Sequence, residues 1–226
     1  MAEAKKVKGK VLEIAVGTGR IFLELLKNRT DAYGIDISEA MLKQLREKAR
    51  KNKIDLGKRV SRQNMQNFSL KEKFDLVIIP YRAFLHNLTT REQLATLRCC
   101  KKHLKKGGKL ILNFFHFSPV FVAKRLQGKR MPPAKIKNKN YSLKIFEKSE
   151  YDFQKQKIKV TFLFEEKIGK RPVKKFKDGF FLSWINLREF QLLAKEAGFK
   201  IKNLFGNFKK APFRNHSDEL IWILEK

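Results

Sequence analysis

Cysteine is almost missing from this chain. Only Cys99 and Cys100 occur among 226 residues, side by side, and neighbouring cysteines rarely bond to each other. Two such residues build neither a disulfide framework nor a zinc site, so a reduced, cytoplasmic setting and a metal-free site are expected. Triplets such as Asn28-Arg29-Thr30 would then meet no glycosylation machinery. No apolar run approaches the roughly 20 residues of a transmembrane helix, so no membrane partner is expected. The opening Met-Ala-Glu-Ala-Lys-Lys lacks the apolar stretch of a secretion signal. No G-x-x-x-x-G-K-[ST] run exists to form a P-loop.

Acidic residues are scarce as well. The chain has 22 Asp and Glu against 52 Lys and Arg, a formal charge of +30. From Gln93 to Phe146 there is no acid at all, while fourteen Lys and Arg occur. Such a block attracts polyanions, so nucleic acid or an anionic substrate is a candidate partner. A compositional bias toward Lys and Phe would give the same excess, with the lysines solvating the surface.

What is present is a strand running into a glycine turn. Residues 11–19 read Val-Leu-Glu-Ile-Ala-Val-Gly-Thr-Gly, and Ile35-Asp36 closes a second apolar run. A glycine turn at a strand tip brings backbone close to a nucleotide-like ligand, and an acid about 20 residues on can hold its ribose. Gly17 and Gly19 leave room for that approach and take positive φ cheaply. The third small residue of a dinucleotide fingerprint is absent, because Arg20-Ile21-Phe22 follows. Glu13, just inside the strand, suits a ligand with a cationic amino group better than a phosphate. An ordinary tight strand–helix turn is the alternative.

Strand and helix patterns alternate through the first half. Strands are expected at Lys10–Val16, Ala32–Ile37, about Arg59–Gln63, Phe74–Ile79 and Lys109–Phe117. Helices are expected at Arg20–Lys27, from Ser38 as N-cap to about Asn52, and from Thr90 as cap through Leu104 to Gly107-Gly108. This order implies a parallel, doubly wound α/β sheet. Residues 118–140 read as a loop with at most a short helix over Val120–Leu126. Three period-2 stretches follow, about Tyr141–Asp152, Lys157–Lys167 and Val173–Trp184, as an inserted antiparallel meander. A helix over Leu187–Ala197 and strands over Phe199–Phe205 and Glu219–Leu224 complete the sheet. The expected organisation is a core at 1–118, an insertion at 119–184 serving as substrate lid or dimer surface, and a closing segment at 185–226.

Several of these segments resemble motifs of the class I S-adenosylmethionine (SAM)-dependent methyltransferases. Glu13-Ile14-Ala15-Val16-Gly17-Thr18-Gly19 is similar to their first motif and Tyr33-Gly34-Ile35-Asp36-Ile37-Ser38 to their second-strand motif. Val60–Phe68, Phe74–Ile79 and Leu104–Leu112, the last with Gly107-Gly108, resemble the third, fourth and fifth strand regions. The resemblance implies a seven-stranded Rossmann-like sheet of order 3-2-1-4-5-7-6, with the seventh strand antiparallel. It implies SAM as cofactor and S-adenosylhomocysteine as product. Asp36 would accept from the ribose hydroxyls, Glu13 would help hold the ammonium, and Ala15, Gly17 and Gly19 would give the backbone access. Ile37 and Met41 would flank the adenine, Asn64 would accept from its amino group and Met65 would offer a backbone amide. Pro80 would lie at the tip of the fourth strand.

Base-directed amino methyltransferases typically carry Asn/Asp-Pro-Pro-Tyr/Phe after the fourth strand, whereas this chain has Ile78-Ile79-Pro80-Tyr81. Pro80 to His86 instead resembles small-molecule members, including sugar N-methyltransferases, whose inserted meander roofs the substrate pocket. The expectation is methyl transfer to N or O of a small molecule, with His116 or Tyr81 as a catalytic group; Tyr141 is a further candidate base. His86, His103 and His216 read as surface or capping residues. An RNA-directed methyltransferase using the basic surface and a non-catalytic SAM-binding scaffold are the alternatives. Only nine residues precede Lys10, where many relatives have helices over the cofactor, so an open crevice and a possible homodimer are expected.

Overall fold

Helix and strand alternate because the apolar period switches repeatedly between 3.6 and 2. In the computed structural model, residues 7–118, 121, 123, 133–138 and 140–226 are described. Strand β1 (Val11–Ile14) leads to helix α1 (Phe22–Lys27), β2 (Ala32–Asp36), α2 (Glu39–Lys51), β3 (Val60–Arg62) and β4 (Phe74–Ile79). A 3-10 turn (Ala83–His86), α3 (Thr90–His103) and β5 (Leu104–Phe115) follow. Four strands come next: β6 (Ala134–Asn138), β7 (Tyr141–Asp152), β8 (Lys157–Ile168) and β9 (Lys174–Ser183). Helix α4 (Leu187–Glu196), β10 (Lys200–Phe205) and β11 (Glu219–Glu225) close the chain.

The main sheet has the order β10-β11-β5-β4-β1-β2-β3. β1 is parallel to β2 and β4, and β4 to β5, while β11 runs antiparallel to both its neighbours. This is the expected seven-stranded methyltransferase order. On one face Val11, Leu76 and Ile78 pack with Phe22, Leu25, Leu42 and Leu45 from α1 and α2. On the other, Phe190 of α4 meets Phe114 at 5.1 Å and Trp222 at 4.8 Å between ring centroids. These rings are fully buried, and each is worth about 1.5–3 kcal/mol relative to exposure.

Several boundaries differ from the expected ones. The N-cap of α3 is Thr89, whose hydroxyl accepts from the Glu92 amide while the Glu92 carboxylate accepts from the Thr89 amide; the reciprocal pair outcompetes a cap at Thr90. Helix α3 ends at His103, and β5 begins at once with Leu104 paired to Phe74. The register then shifts to Leu76 opposite Lys109, so Gly107-Gly108 forms a bulge inside the strand, with Gly107 at φ +74°. His103 is buried, stacked on Phe68 at 4.3 Å, and not a surface residue. Its Nδ1 lies 2.9 Å from the Cys99 carbonyl and its Nε2 accepts from the Leu70 amide at 3.1 Å. That pattern fixes the neutral ring with the proton on Nδ1.

By contact density the chain divides into two compact units, 1–116 with 186–226, and 117–185. The second unit is a four-stranded meander, β6-β7-β8-β9, where three strands were expected. The extra strand, Ala134–Asn138, lies within the expected loop and is exposed throughout. It is too short and too cationic to show a strand pattern by itself, and it is recruited by pairing with β7. Of the short helix expected over 120–126, only Phe121 and Ala123 are among the described residues, and both are helical. Trp184 stacks on Phe117 at 3.9 Å and anchors this unit's own small core.

Candidate active site

The tips of β1 and β2 form a crevice whose walls are set by backbone geometry. After Ile14 the chain takes positive φ at Ala15 (56°), Gly17 (54°) and Gly19 (81°). The turn is tied to β2 by the Val16 amide donating to the Ile35 carbonyl at 3.0 Å. The Asp36 carboxylate sits at its centre. One oxygen accepts from the Gly17 amide at 2.8 Å and the other from the Ser38 amide at 2.8 Å. Each oxygen keeps a second lone pair for a ligand hydroxyl. Ser38 also caps α2, accepting from the Met41 amide.

The two turn glycines do different work. A Cβ on Gly17 would meet nothing closer than the Ala15 carbonyl at 4.0 Å, so that side of the turn is open to an approaching ligand. A Cβ on Gly19 would strike Leu45 at 2.8 Å, so a glycine there lets the turn pack onto α2. Gly34, given no such role from the sequence, lets Val16 seat against β2, since a Cβ there would lie 2.9 Å from the Val16 side chain.

Glu13 is 2% exposed, and its Oε2 has no hydrogen-bond partner among the described residues. Burial pushes its carboxyl up to about 8, with the Asp36 charge adding to the rise. An unsatisfied buried acid of this kind fits a cationic group brought in by a ligand. Ile37 and Met41 are large apolar side chains left exposed, at 61% and 45%. Asn64 and Met65 follow β3 in a loop. The Asn64 carbonyl oxygen accepts from the Gln66 amide at 3.0 Å, so it is partly engaged within its own loop. The Met65 sulfur takes a contact from the Asn87 amide group at 3.3 Å.

Beyond β4, Pro80 leads into Tyr81 and Arg82, both left-handed at φ 55° and 64°. Two successive non-glycine residues in that region store strain of order 1–3 kcal/mol each. The Arg82 guanidinium grips the Glu219 carboxylate, whose other oxygen accepts from Asn113 at 3.0 Å. Tyr81 is exposed, with the Arg20 guanidinium 3.9 Å from its ring centroid. Asn87, 1% exposed, accepts from Thr96 at 3.0 Å and from Gln66 at 3.2 Å, bolting this turn to the loop after β3. Sequence reasoning gave no role to Glu219, Asn113 or Asn87.

A cavity of about 450 Å³ begins at Pro80 and Tyr81 and is lined by Ile111, Ile221, Ile223 and Phe208, with Asn113 among its polar groups. Its lining does not include Glu13, Gly17 or Asp36, so it is distinct from the crevice. His116 is half-buried at the end of β5 and outside that lining. Its amide donates to the Asp218 carbonyl, and its Nδ1 lies 3.1 Å from the Ser217 carbonyl. The proton therefore sits on Nδ1 and the lone pair on Nε2. His86 and His216 are exposed.

Residues 11–108 match the family model described as a methyltransferase domain. The chain is 22% identical over 216 residues to the cypemycin N-terminal methyltransferase of a Streptomyces species, covering 96% of this chain and 82% of that protein. A SAM-dependent methyltransferase from Clostridium acetobutylicum superposes with a TM-score of 0.79 at 15% identity, over 96% of this chain and 83% of that one. SAM-bound CalS10, an amino pentose methyltransferase from Micromonospora echinaspora, superposes with a TM-score of 0.73 at 17% identity, over 99% and 86%. Sheet order and glycine turn are those of the class I methyltransferase fold, and the matching methyltransferase domain lies within it. Residues 11–108 carry a methyltransferase domain, and the superposed CalS10 holds SAM as its methyl donor. The open side of Gly17, the fixed Asp36 carboxylate and the unpaired Glu13 oxygen fit that cofactor.

Proposed function

We propose that this enzyme methylates an amine nitrogen on a small molecule. The observation that carries the reading is the apolar cavity of about 450 Å³ at the Pro80–Tyr81 rim, a size suited to a small acceptor and sparing in polar groups. One relative is named for an N-terminal methylation and another for an amino pentose, which supports nitrogen as the acceptor. SAM brings an activated methyl group as a sulfonium, so the protein's main task is alignment. In this reading Asp36 holds the ribose, Glu13 neutralises the ammonium, and Ile37 and Met41 flank the adenine. Ala15 and Gly17 give the backbone room, Pro80 supports the rim, and Asn64 and Met65 border the base. Tyr81 orients the acceptor.

His116 is the proposed base. His116 lies outside the cavity lining, so this role requires an acceptor that extends from the cavity to the end of β5; with Nδ1 committed to the Ser217 carbonyl, Nε2 is the atom that would take its proton. His116→Asn is expected to lower kcat about 100-fold or more while leaving the SAM dissociation constant unchanged. A parallel loss of SAM affinity would make the residue structural.

The direct test is transfer of labelled methyl from SAM to a panel of aminosugars, short peptides with free N-termini, and their hydroxyl counterparts. Label on the amine members alone is expected. Label confined to hydroxyl acceptors, or to the nucleic-acid fraction of an extract, would overturn the proposal.

A further inference from the structure

The meander sorts its charges between its two faces. Residues directly opposite in an antiparallel pair share a face, and neighbours along a strand alternate. By the registers of β6 to β9, every lysine on these strands except Lys174 lies on one face. The other face carries Ile145, Phe164 and Phe176 in one row and Val160 and Phe180 in another. The lysine face holds only Glu150, Asp152 and Glu165 as acids. Lys148 and Lys175 pair with two of these, at 3.1 Å each. Lys135, Lys137 and Lys144 are exposed on adjoining strands, with lysines two positions apart on one strand spaced about 6.7 Å by the strand rise.

Apolar side chains interrupt the cations on that face. Phe181 is 49% exposed, and Phe146 lies in the same cross-strand row as Leu163 and Lys177. Solvation alone would be served by lysine mixed with glutamate, and has no need of an exposed phenyl ring among the cations. Rows of cations on a sheet face with an exposed ring suit a single-stranded nucleic acid, whose phosphates pair with lysine and whose bases stack on aromatics. A duplex groove would call for a helix or ribbon instead. We propose that the lysine face of this meander binds single-stranded nucleic acid. The inference does not depend on which acceptor is methylated.

The test is fluorescence anisotropy of the full chain with a labelled 15-nucleotide oligouridylate at several salt concentrations. Micromolar binding is expected, with log K falling against log salt at a slope near −3.5, for about five neutralised phosphates. Reversing Lys135, Lys144 and Lys177 to Glu together should weaken binding at least tenfold and flatten the slope. Reversing Lys43, Lys51 and Lys200, on the other unit, removes equal charge and should cost less than threefold. Phe181→Ala should weaken binding several-fold at unchanged slope. Lysine-to-glutamine versions of both triple sets, with circular dichroism and SAM binding as folding controls, repeat the comparison if a reversed chain misfolds. Equal losses from the two sets would reduce the effect to bulk charge and overturn the proposal. So would binding to phosphatidylserine vesicles with none to the oligonucleotide, which would make the surface a lipid one.

Discussion

At the scale of single residues, the crevice is a contest between desolvation and the charge a ligand brings. Asp36 is ready before any ligand arrives, because the Gly17 and Ser38 amides already orient both oxygens. Asp36→Ala is therefore expected to abolish measurable SAM binding by calorimetry, while Asn64→Asp keeps or improves it; unchanged binding in Asp36→Ala would remove the ribose assignment. Glu13 is the opposite case, raised to about 8 by burial. The folded chain holds a proton that the unfolded chain releases above its ordinary 4.5, so stability falls as pH rises from there toward 8. Glu13→Gln should match the wild type near pH 5 and gain on the order of a few kcal/mol near pH 8.5 in urea denaturation. The same variant should bind SAM at least tenfold more weakly, since an amide cannot neutralise the ammonium. The meeting of Asp36 and Gly17 at the strand tips was legible in the sequence because it is local to one turn and the strand beside it. The Arg82–Glu219 pair was not, because its members lie 137 positions apart and meet only when β11 docks beside β5.

At the scale of elements, the sheet could be read in advance because each core strand is apolar and bounded by turn residues. The places that escaped are those where tertiary pairing decides. β6 exists only by its ladder to β7, and β5 starts early because Leu104 pairs with Phe74 across a bulge. The α3 C-terminus hides a further consequence. Burial lowers the His103 pKa from its ordinary 6.5, and both ring nitrogens are already used by Cys99 and Leu70. The unfolded chain takes up a proton first as pH falls, so the stability this ring contributes is present above pH 6.5 and lost below it. His103→Asn should be less stable at neutral pH by about 1–3 kcal/mol, and the gap to the wild type should shrink from pH 7.5 to 5.5. Because Glu13 acts with the opposite sign, the comparison between variant and wild type is the informative one. A gap constant with pH would mean that His103 titrates normally in the folded chain.

At the scale of the whole molecule, charge is the term that no local packing can resolve. With 52 cationic and 22 acidic side chains, 30 cations lack an acid to pair with, whatever the arrangement. Folding draws them together on one surface, whereas the unfolded chain spreads them apart, so self-repulsion weighs against the native state. Salt screens this repulsion, with a Debye length of about 30 Å at 0.01 M and about 10 Å at 0.1 M. Ordinary ion pairs such as Arg98–Glu196, exposed at 2.7 Å, weaken over the same range, but each contributes at most about 1 kcal/mol. Repulsion should win, because unpaired cations outnumber the acids available for pairing. The thermal midpoint is therefore expected to rise by about 3–6 °C between 10 and 150 mM sodium chloride, equivalent to about 1–2 kcal/mol for a chain of this length. Scanning calorimetry across that range checks it. A flat or falling midpoint would mean that the cations are placed far enough apart, or paired well enough, for their excess to cost the fold nothing.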